Sequence, residues 1–280
     1  MLGAPGTALL MPELPEVETT RRGIAPAVEG RRIDTVIVRN AALRWPVPDE
    51  LPALLAGQTV TAVRRRAKYL LFDVEPGTAL LHLGMSGQLR VVAADAPLRK
   101  HDHVDVVLQG GQCLRLHDPR RFGSLLWQPA GTRHPLLAGL GPEPLGPDFS
   151  GDWLYRQSRG RRAAVKTFLM DQRIVVGVGN IYATEALHAA GIDPRRAAGR
   201  VSAARYAALA EAVRAVLAES ITRGGTTLRD YVDPQGSPGW FRLQLAAYER
   251  AGQPCGRCGG TIQRVVLGQR ASYYCAGCQR

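Results

Sequence analysis

Near the C-terminus, Cys255 and Cys258 form one CxxC pair, and Cys275 and Cys278, separated from it by sixteen residues, form a second. Two thiolates spaced this way share one ion on a tight knuckle, and two knuckles close a tetrahedral four-sulfur shell. The residues between them, TIQRVVL, GQR and ASYYC, read as strand, turn and strand. This spacing restricts the local fold to a zinc ribbon. It is symmetric and leaves no open ligand position, which favours one structural Zn2+ over an iron-sulfur cluster or a catalytic metal. Cys113, the fifth cysteine, stands alone in a strand-like run, so the cysteines describe metal ligation in a reducing compartment, not a secreted disulfide framework.

The chain of 280 residues carries 36 Lys+Arg against 24 Asp+Glu, a net charge of +12, with 45% hydrophobic residues. That composition excludes a disordered polymer and an ordinary acidic enzyme; a polyanion is the expected partner. Only three of the basic residues are lysines, Lys68, Lys100 and Lys166. A GC-rich genome accounts for the preference for arginine but not for the excess of base over acid. The first eleven residues are uncharged, so they lack the basic region of a signal peptide and are too short to span a bilayer. No other run approaches eighteen apolar residues, and a soluble cytoplasmic protein without membrane contact is expected.

The length suits one large domain or two ordinary ones. From Pro12 to about Gly30, prolines and carboxylates lead into a mixed helical stretch that ends at glycine. Eight strand-like runs follow, from RRIDTVIVRN to GSLLWQ, separated by turn residues, and these predict a β-sandwich or barrel. The Pro- and Gly-rich residues 131–151 read as a linker. Beyond it, DWLYRQSRGRRAAVKTFLMDQ, NIYATEALHAAG and SAARYAALAEAVRAVLAESITRGG are dense in alanine, leucine and glutamate with helical spacing. A loop-like stretch from Gly224 to Pro254 leads to the cysteines. The expected boundaries are 12–130, 152–245 and 246–280, with 1–11 outside the working protein.

Gly177 and Gly179 stand immediately before Asn180 and a helix, where exposed backbone N–H groups would seat a phosphate. Two helices joined by IDPRRAAGRV form a DNA-binding arrangement, although any helical pair joined by Pro and Gly looks similar. The cluster at Arg159, Arg161 and Arg162 adds charge, equally readable as a solvated basic face. Gln269 and Arg270 fall at the ribbon's turn, where a guanidinium can meet a phosphate.

MPELPEVETTRRGI at 11–24, RRAKYLL at 65–71, HLGMSG at 82–87, KHDHVD at 100–105, DPRRFG at 118–123, LMDQRIVVGVGNIYATEAL at 169–187, GGTTLRDY at 224–231 and GQRASYYC at 268–275 together resemble the bacterial formamidopyrimidine-DNA glycosylases. The resemblance implies an α+β multidomain fold with an N-terminal helix and β-sandwich, a helix-two-turns-helix domain and a C-terminal zinc ribbon. It also implies a monomeric base-excision repair enzyme, associated with the bacterial nucleoid, that removes 8-oxoguanine and formamidopyrimidines from double-stranded DNA and cuts the abasic strand. By the same resemblance, Pro12 is the amine nucleophile, Glu13 the general acid/base, Lys68 the β-elimination lysine and Arg270 the δ-elimination arginine. Met85, Arg120 and Phe122 match the trio that fills the gap left by the flipped nucleotide, and His101, Arg120, Arg161 and Asn180 match DNA contacts. Glu16 matches a second carboxylate, a position that helix punctuation explains equally well.

The implied chemistry suits the residue types. An α-amino group has a lower ordinary pKa than lysine and is more often unprotonated near neutrality. A secondary amine gives an iminium that has no nitrogen proton to lose. Lys68 is lysine in a chain that otherwise writes arginine, as expected of an ammonium that transfers a proton; guanidinium scarcely ionises, so Arg270 is better suited to clamping phosphate. Pro12 is internal as written, and an amide nitrogen cannot attack. Translation from Met11 followed by methionine removal restores the amine; a non-catalytic DNA-binding relative is the alternative, and an oxidised-pyrimidine glycosylase on the same scaffold is another.

Overall fold

The computed structural model describes residues 12–224 and 245–280; the motif TTLRDY and most of the loop-like stretch after Gly224 lie outside them. The chain divides into two compact units, one holding Pro12 and Glu16–Pro135, the other Glu13–Pro15 with residues 136–224 and 245–280.

In the first unit the eight strand-like runs become eight strands: β1 (Ile33–Val38), β2 (Ala62–Arg66), β3 (Tyr69–Val74), β4 (Gly77–His82), β5 (Gln88–Ala93), β6 (Asp102–Leu108), β7 (Gln112–His117) and β8 (Ser124–Pro129). They form two antiparallel four-stranded sheets, ordered β1-β6-β7-β5 and β2-β3-β4-β8. Between sandwich and barrel, the chain forms the sandwich. Side chains alternate across a strand, so Val36, Leu89, Val104, Leu114 and Leu116 of one sheet meet Val63, Leu70, Phe72, Leu81 and Leu125 of the other in one core. Helix α1 (Leu14–Val28) and the short α2 (Leu51–Leu55) add Val17, Ile24, Leu51 and Leu55 to that core. Cys113 on β7 is fully buried, and burial, reinforced by the Asp105 carboxylate, pushes its thiol up to about 11. It is a packing group.

A charged network ties β6 to β7. Arg115 is buried and donates Nε–H and Nη2–H to the two oxygens of Asp105, at 2.8 and 3.0 Å. Asp105 also accepts from Arg39 at 2.7 Å, while Asp102 accepts from Arg90 and lies 2.9 Å from His117 Nδ1. Burial opposes ionisation of both aspartates, but these donors, with the Arg99 N–H that Asp102 also accepts at 2.9 Å, outweigh it and hold both carboxyls below their ordinary range.

The second unit is helical apart from its C-terminus. Its helices are α3 (Pro135–Ala138), α4 (Gly151–Ser158), α5 (Val165–Leu169), α6 (Asn180–Ala189) and α7 (Ala203–Thr222); of α3, residues from Leu136 belong here. Hydroxyl caps start α4 and α7: Ser150 accepts from the Trp153 N–H and Ser202 from the Arg205 N–H. The helical pattern over 152–172 is broken between α4 and α5, where Gly160 turns the chain at φ +74°. Eight of the ten residues of α6 are buried, so it is enclosed on every face instead of striped, with Thr184, Glu185 and His188 among the buried residues. It packs against α7 and α5. The C-terminal hairpin pairs β9 (Ile262–Leu267) with β10 (Arg270–Cys275) across Gly268 and Gln269, both at positive φ, as a two-residue hairpin turn requires. Among the described residues no helix is long and apolar enough to cross a membrane.

Candidate active site

Glu13 immediately follows Pro12 and is 2% exposed. Its Oε2 accepts the backbone N–H of Gly179 at 2.7 Å and of Tyr182 at 3.4 Å, and its Oε1 accepts that of Ile181 at 2.9 Å. These donors are the unpaired amides of the first turn of α6, where the helix dipole also favours an anion. The backbone seat expected to hold a phosphate therefore holds the Glu13 carboxylate. That expectation is corrected because a buried carboxylate from the same chain reaches those N–H groups first. Gly179 must lack a side chain, since a Cβ there would overlap the Glu13 carboxylate. Leu14 N–H donates to the Gly177 carbonyl at 3.1 Å and fixes the segment beside the helix.

Asn180 opens α6, and its Oδ1 accepts from Lys166 Nζ at 2.7 Å. Lys166 is 1% exposed and also donates to Ser272 Oγ at 2.8 Å and the Ala271 carbonyl at 3.2 Å. One buried lysine thus joins α5, the start of α6 and β10 of the ribbon. Burial pushes its ammonium down to about 7; Glu13 opposes that shift and Arg270 adds to it. Arg270 itself is exposed at the first position of β10. Sequence reasoning passed over Lys166, although the scarcity of lysine that marked Lys68 marked it equally.

The four expected ligands converge. The Sγ atoms of Cys255, Cys258, Cys275 and Cys278 lie within 4.8 Å of one another, with Cys258 and Cys275 at 3.5 Å and Cys255 and Cys278 at 3.8 Å. A tetrahedron with metal–sulfur bonds of about 2.3 Å has edges of about 3.8 Å, so the donor set fits one zinc ion with a closed shell. His188 Nε2 lies 3.4 Å from Cys255 Sγ, the kind of outer contact that orients a thiolate ligand. Arg257, inside the first knuckle, donates to the carbonyls of His188 and Ala189 and caps the C-terminal end of α6. Glu185, midway along α6, accepts the N–H groups of Ala246, Ala247 and Tyr248 at 2.7, 2.9 and 2.8 Å and anchors the strand of chain that enters the ribbon. One helix therefore carries Glu13 at one end and the metal knuckle at the other.

In the first unit, Lys68 lies half-buried in the turn between β2 and β3, after Ala67 at φ +54°. The arginines before it are committed to structure: Arg64 donates to Asp73 and Arg65 to Glu18. Across the sheet, burial and the positive charges of Lys68 and Arg44 push the His82 imidazole down to about 4. It stays neutral, and its Nδ1 accepts the Gly84 N–H at 2.9 Å, bracing the turn that presents Met85. Gly84 packs directly on the Phe122 backbone, with no room for a Cβ. Met85, Arg120 and Phe122 are thereby brought together: the Arg120 guanidinium sits 4.8 Å over the Phe122 ring, and Phe122 remains 40% exposed. His101 lies at the entry to β6, its ring 6.1 Å from that of His103 and 5.9 Å from that of His117. In the second unit Arg161 is exposed but directed onto its own chain, with Nε–H on the Gln157 carbonyl and its guanidinium 5.6 Å from the Phe168 ring.

Known proteins account for nearly the whole chain. The formamidopyrimidine-DNA glycosylase N-terminal domain matches residues 11–125, the H2TH domain of the same enzymes matches 140–232, and a zinc finger found in FPG and IleRS matches 252–280. The formamidopyrimidine-DNA glycosylase of Stenotrophomonas maltophilia strain K279a is 62% identical over 270 residues, which cover 96% of this chain and all of the relative. Lactococcus lactis Fpg, solved with DNA containing Fapy-dG, superposes with a TM-score of 0.87 at 30% identity, covering 96% of this chain and all of that one. The Fpg protein of Thermus thermophilus gives 0.84 at 41% identity, over 96% and 98%. The chain belongs to the formamidopyrimidine-DNA glycosylase family.

Proposed function

We propose that the protein is a bifunctional DNA glycosylase and abasic-site lyase of base-excision repair, acting on 8-oxoguanine and formamidopyrimidines in double-stranded DNA. The observation that carries the reading is the Glu13 carboxylate, buried on three amides of α6 and adjacent in sequence to Pro12. It is a fixed acid/base beside a nitrogen suited to attack.

In this scheme the neutral Pro12 amine bonds to the sugar C1′ while the C1′–N bond to the damaged base breaks, and the departing base takes a proton from water. The Glu13 carboxylate takes the proton that the Pro12 nitrogen sheds after attack and delivers it to O4′ as the ring opens to the iminium. Lys68 takes part in loss of the C2′ proton and the 3′ phosphate, and Arg270 holds the 5′ phosphate as it leaves in the second elimination. Hydrolysis of the iminium frees Pro12. Met85, Arg120 and Phe122 occupy the vacated stack opposite the orphaned base, while His101, Arg161 and Asn180 hold phosphates. Zinc, when bound by the four cysteines, is structural.

The working chain in this proposal starts at Pro12. Its support is that the N-terminal family match begins at Met11 and that an internal proline has no free amine. The functional division is 12–130, 152–245 and 246–280, and the protein acts as a monomer in the bacterial cytoplasm, on the nucleoid. Parallel cleavage assays on duplexes carrying 8-oxoguanine or thymine glycol test the substrate class. Faster cleavage at 8-oxoguanine is expected; faster cleavage at thymine glycol would assign the chain to oxidised pyrimidines, and cleavage of neither would leave a DNA-binding protein.

A further inference from the structure

Two turns of the first unit meet on one carboxylate that the proposed chemistry does not use. Asp118, just after β7, is 0% exposed. Its Oδ1 accepts the Ser86 hydroxyl at 2.6 Å and its Oδ2 accepts the Gly123 N–H at 2.8 Å. Ser86 Oγ in turn accepts the Arg120 N–H at 3.2 Å. Through its main chain, Asp118 donates its N–H to the His101 carbonyl at 3.0 Å and accepts His103 Nε2–H at 2.9 Å. Apart from His103, these groups lie in or beside the DNA-facing set: Ser86 follows Met85 and holds the Arg120 N–H, Gly123 follows Phe122, and His101 is bonded directly through its carbonyl.

Burying a carboxylate is costly unless its oxygens are hydrogen-bonded. Here that requirement is met by groups from two different turns, so the carboxylate is satisfied only while the turns are joined. At Gly84 the turns also touch main chain to main chain, with no room for a Cβ between them. A wedge that replaces an extruded nucleotide gains contact only when its members enter together, and a loose turn loses that gain to conformational freedom. We propose that Asp118 is a positioning residue that locks the Met85 turn to the Arg120–Phe122 turn, so that the three side chains enter the duplex as one rigid body. The inference rests on the proposed glycosylase function and specifies how that site meets the strand opposite the lesion.

Two variants test it, Asp118→Ala, which frees both turns, and Ser86→Ala, which removes one hydroxyl and leaves the rest of the core in place. Each is measured for single-turnover excision of 8-oxoguanine from a duplex and for strand cleavage at an abasic site in a single-stranded oligonucleotide, which has no partner strand to displace. A lost buried hydrogen bond predicts a fall in the duplex rate of about fivefold for Ser86→Ala and roughly tenfold to a hundredfold for Asp118→Ala. Single-strand cleavage should fall by less than about twofold in Ser86→Ala, since no stacked base is replaced there. A duplex rate for Ser86→Ala equal to that of the unmodified protein, or equal losses on the two substrates, would overturn the positioning role. If the unmodified protein fails to excise 8-oxoguanine, the functional reading fails first and takes this inference with it.

Discussion

Replacing Glu13 by Gln should weaken the fold as well as the chemistry, by an amount that follows from the cradle. The carboxylate presents two acceptor oxygens to three N–H groups. Glutamine has the same shape but only one acceptor. With its N–H2 in place of Oε1 it faces the Ile181 N–H; in place of Oε2 it faces those of Gly179 and Tyr182. The less damaging rotamer leaves one buried donor opposed by another donor, which costs about 1–3 kcal/mol. Losing the negative charge at the N-terminus of α6 costs roughly 0.3–2 kcal/mol more. The sum is about 1–5 kcal/mol, and at about 2–4 °C per kcal/mol for a protein of this size the melting temperature should fall by roughly 3–20 °C. Differential scanning calorimetry of the zinc-loaded protein reads this directly. A shift below about 1 °C would refute the claim that the amides hold an ionised carboxylate, since uncharged Gln would then serve equally well.

Replacing Lys166 by Met strips the donor from Asn180 Oδ1, the Ala271 carbonyl and Ser272 Oγ; unfolding in urea should show a loss of about 2–4 kcal/mol, and affinity for a duplex with an abasic-site analogue should drop with it. His82 has a folded pKa of about 4 against an ordinary 6.5, so between those values the unfolded chain binds a proton that the folded one refuses. Its contribution is complete above about pH 6.5 and is lost as pH falls toward about 4, by at most about 3 kcal/mol; the stability difference from His82→Gln should follow that slope, and parallel profiles would contradict it. The ribbon's buried apolar cluster consists of Ala247, Ile262 and two of the ligand cysteines, too little to fold without metal. Chelation should therefore release one zinc per chain, measured by a colorimetric indicator, and abolish binding to lesion duplexes.

Local pattern carried much of the fold to the page. β-branched runs separated by turn residues mark the eight strands, alanine, leucine and glutamate at helical spacing mark α4 to α7, and the CxxC spacing marks the ribbon. Turn chemistry misled at one point: glycines before a helix signal an anion seat, but nothing local says whose anion fills it, and Glu13 lies 166 residues from Gly179. Lys166 with Ser272, and Asp118 with Ser86, are separated by 106 and 32 residues. Such pairs leave no periodicity in the sequence and emerge only when folding brings distant segments together. The break between α4 and α5 had a visible cause in Gly160, outweighed by the helix-forming residues on either side.

In the proposed reaction a free amine on Pro12 forms the covalent intermediate, which borohydride reduction traps. Protein beginning at Pro12 and protein beginning at Met1 are each mixed with an 8-oxoguanine duplex, reduced and digested, and the adduct is located by tandem mass spectrometry. The expected result is a DNA adduct on Pro12 in the first form and none in the second. Equal trapping of both forms, or an adduct on a lysine, would rule out Pro12 as the nucleophile.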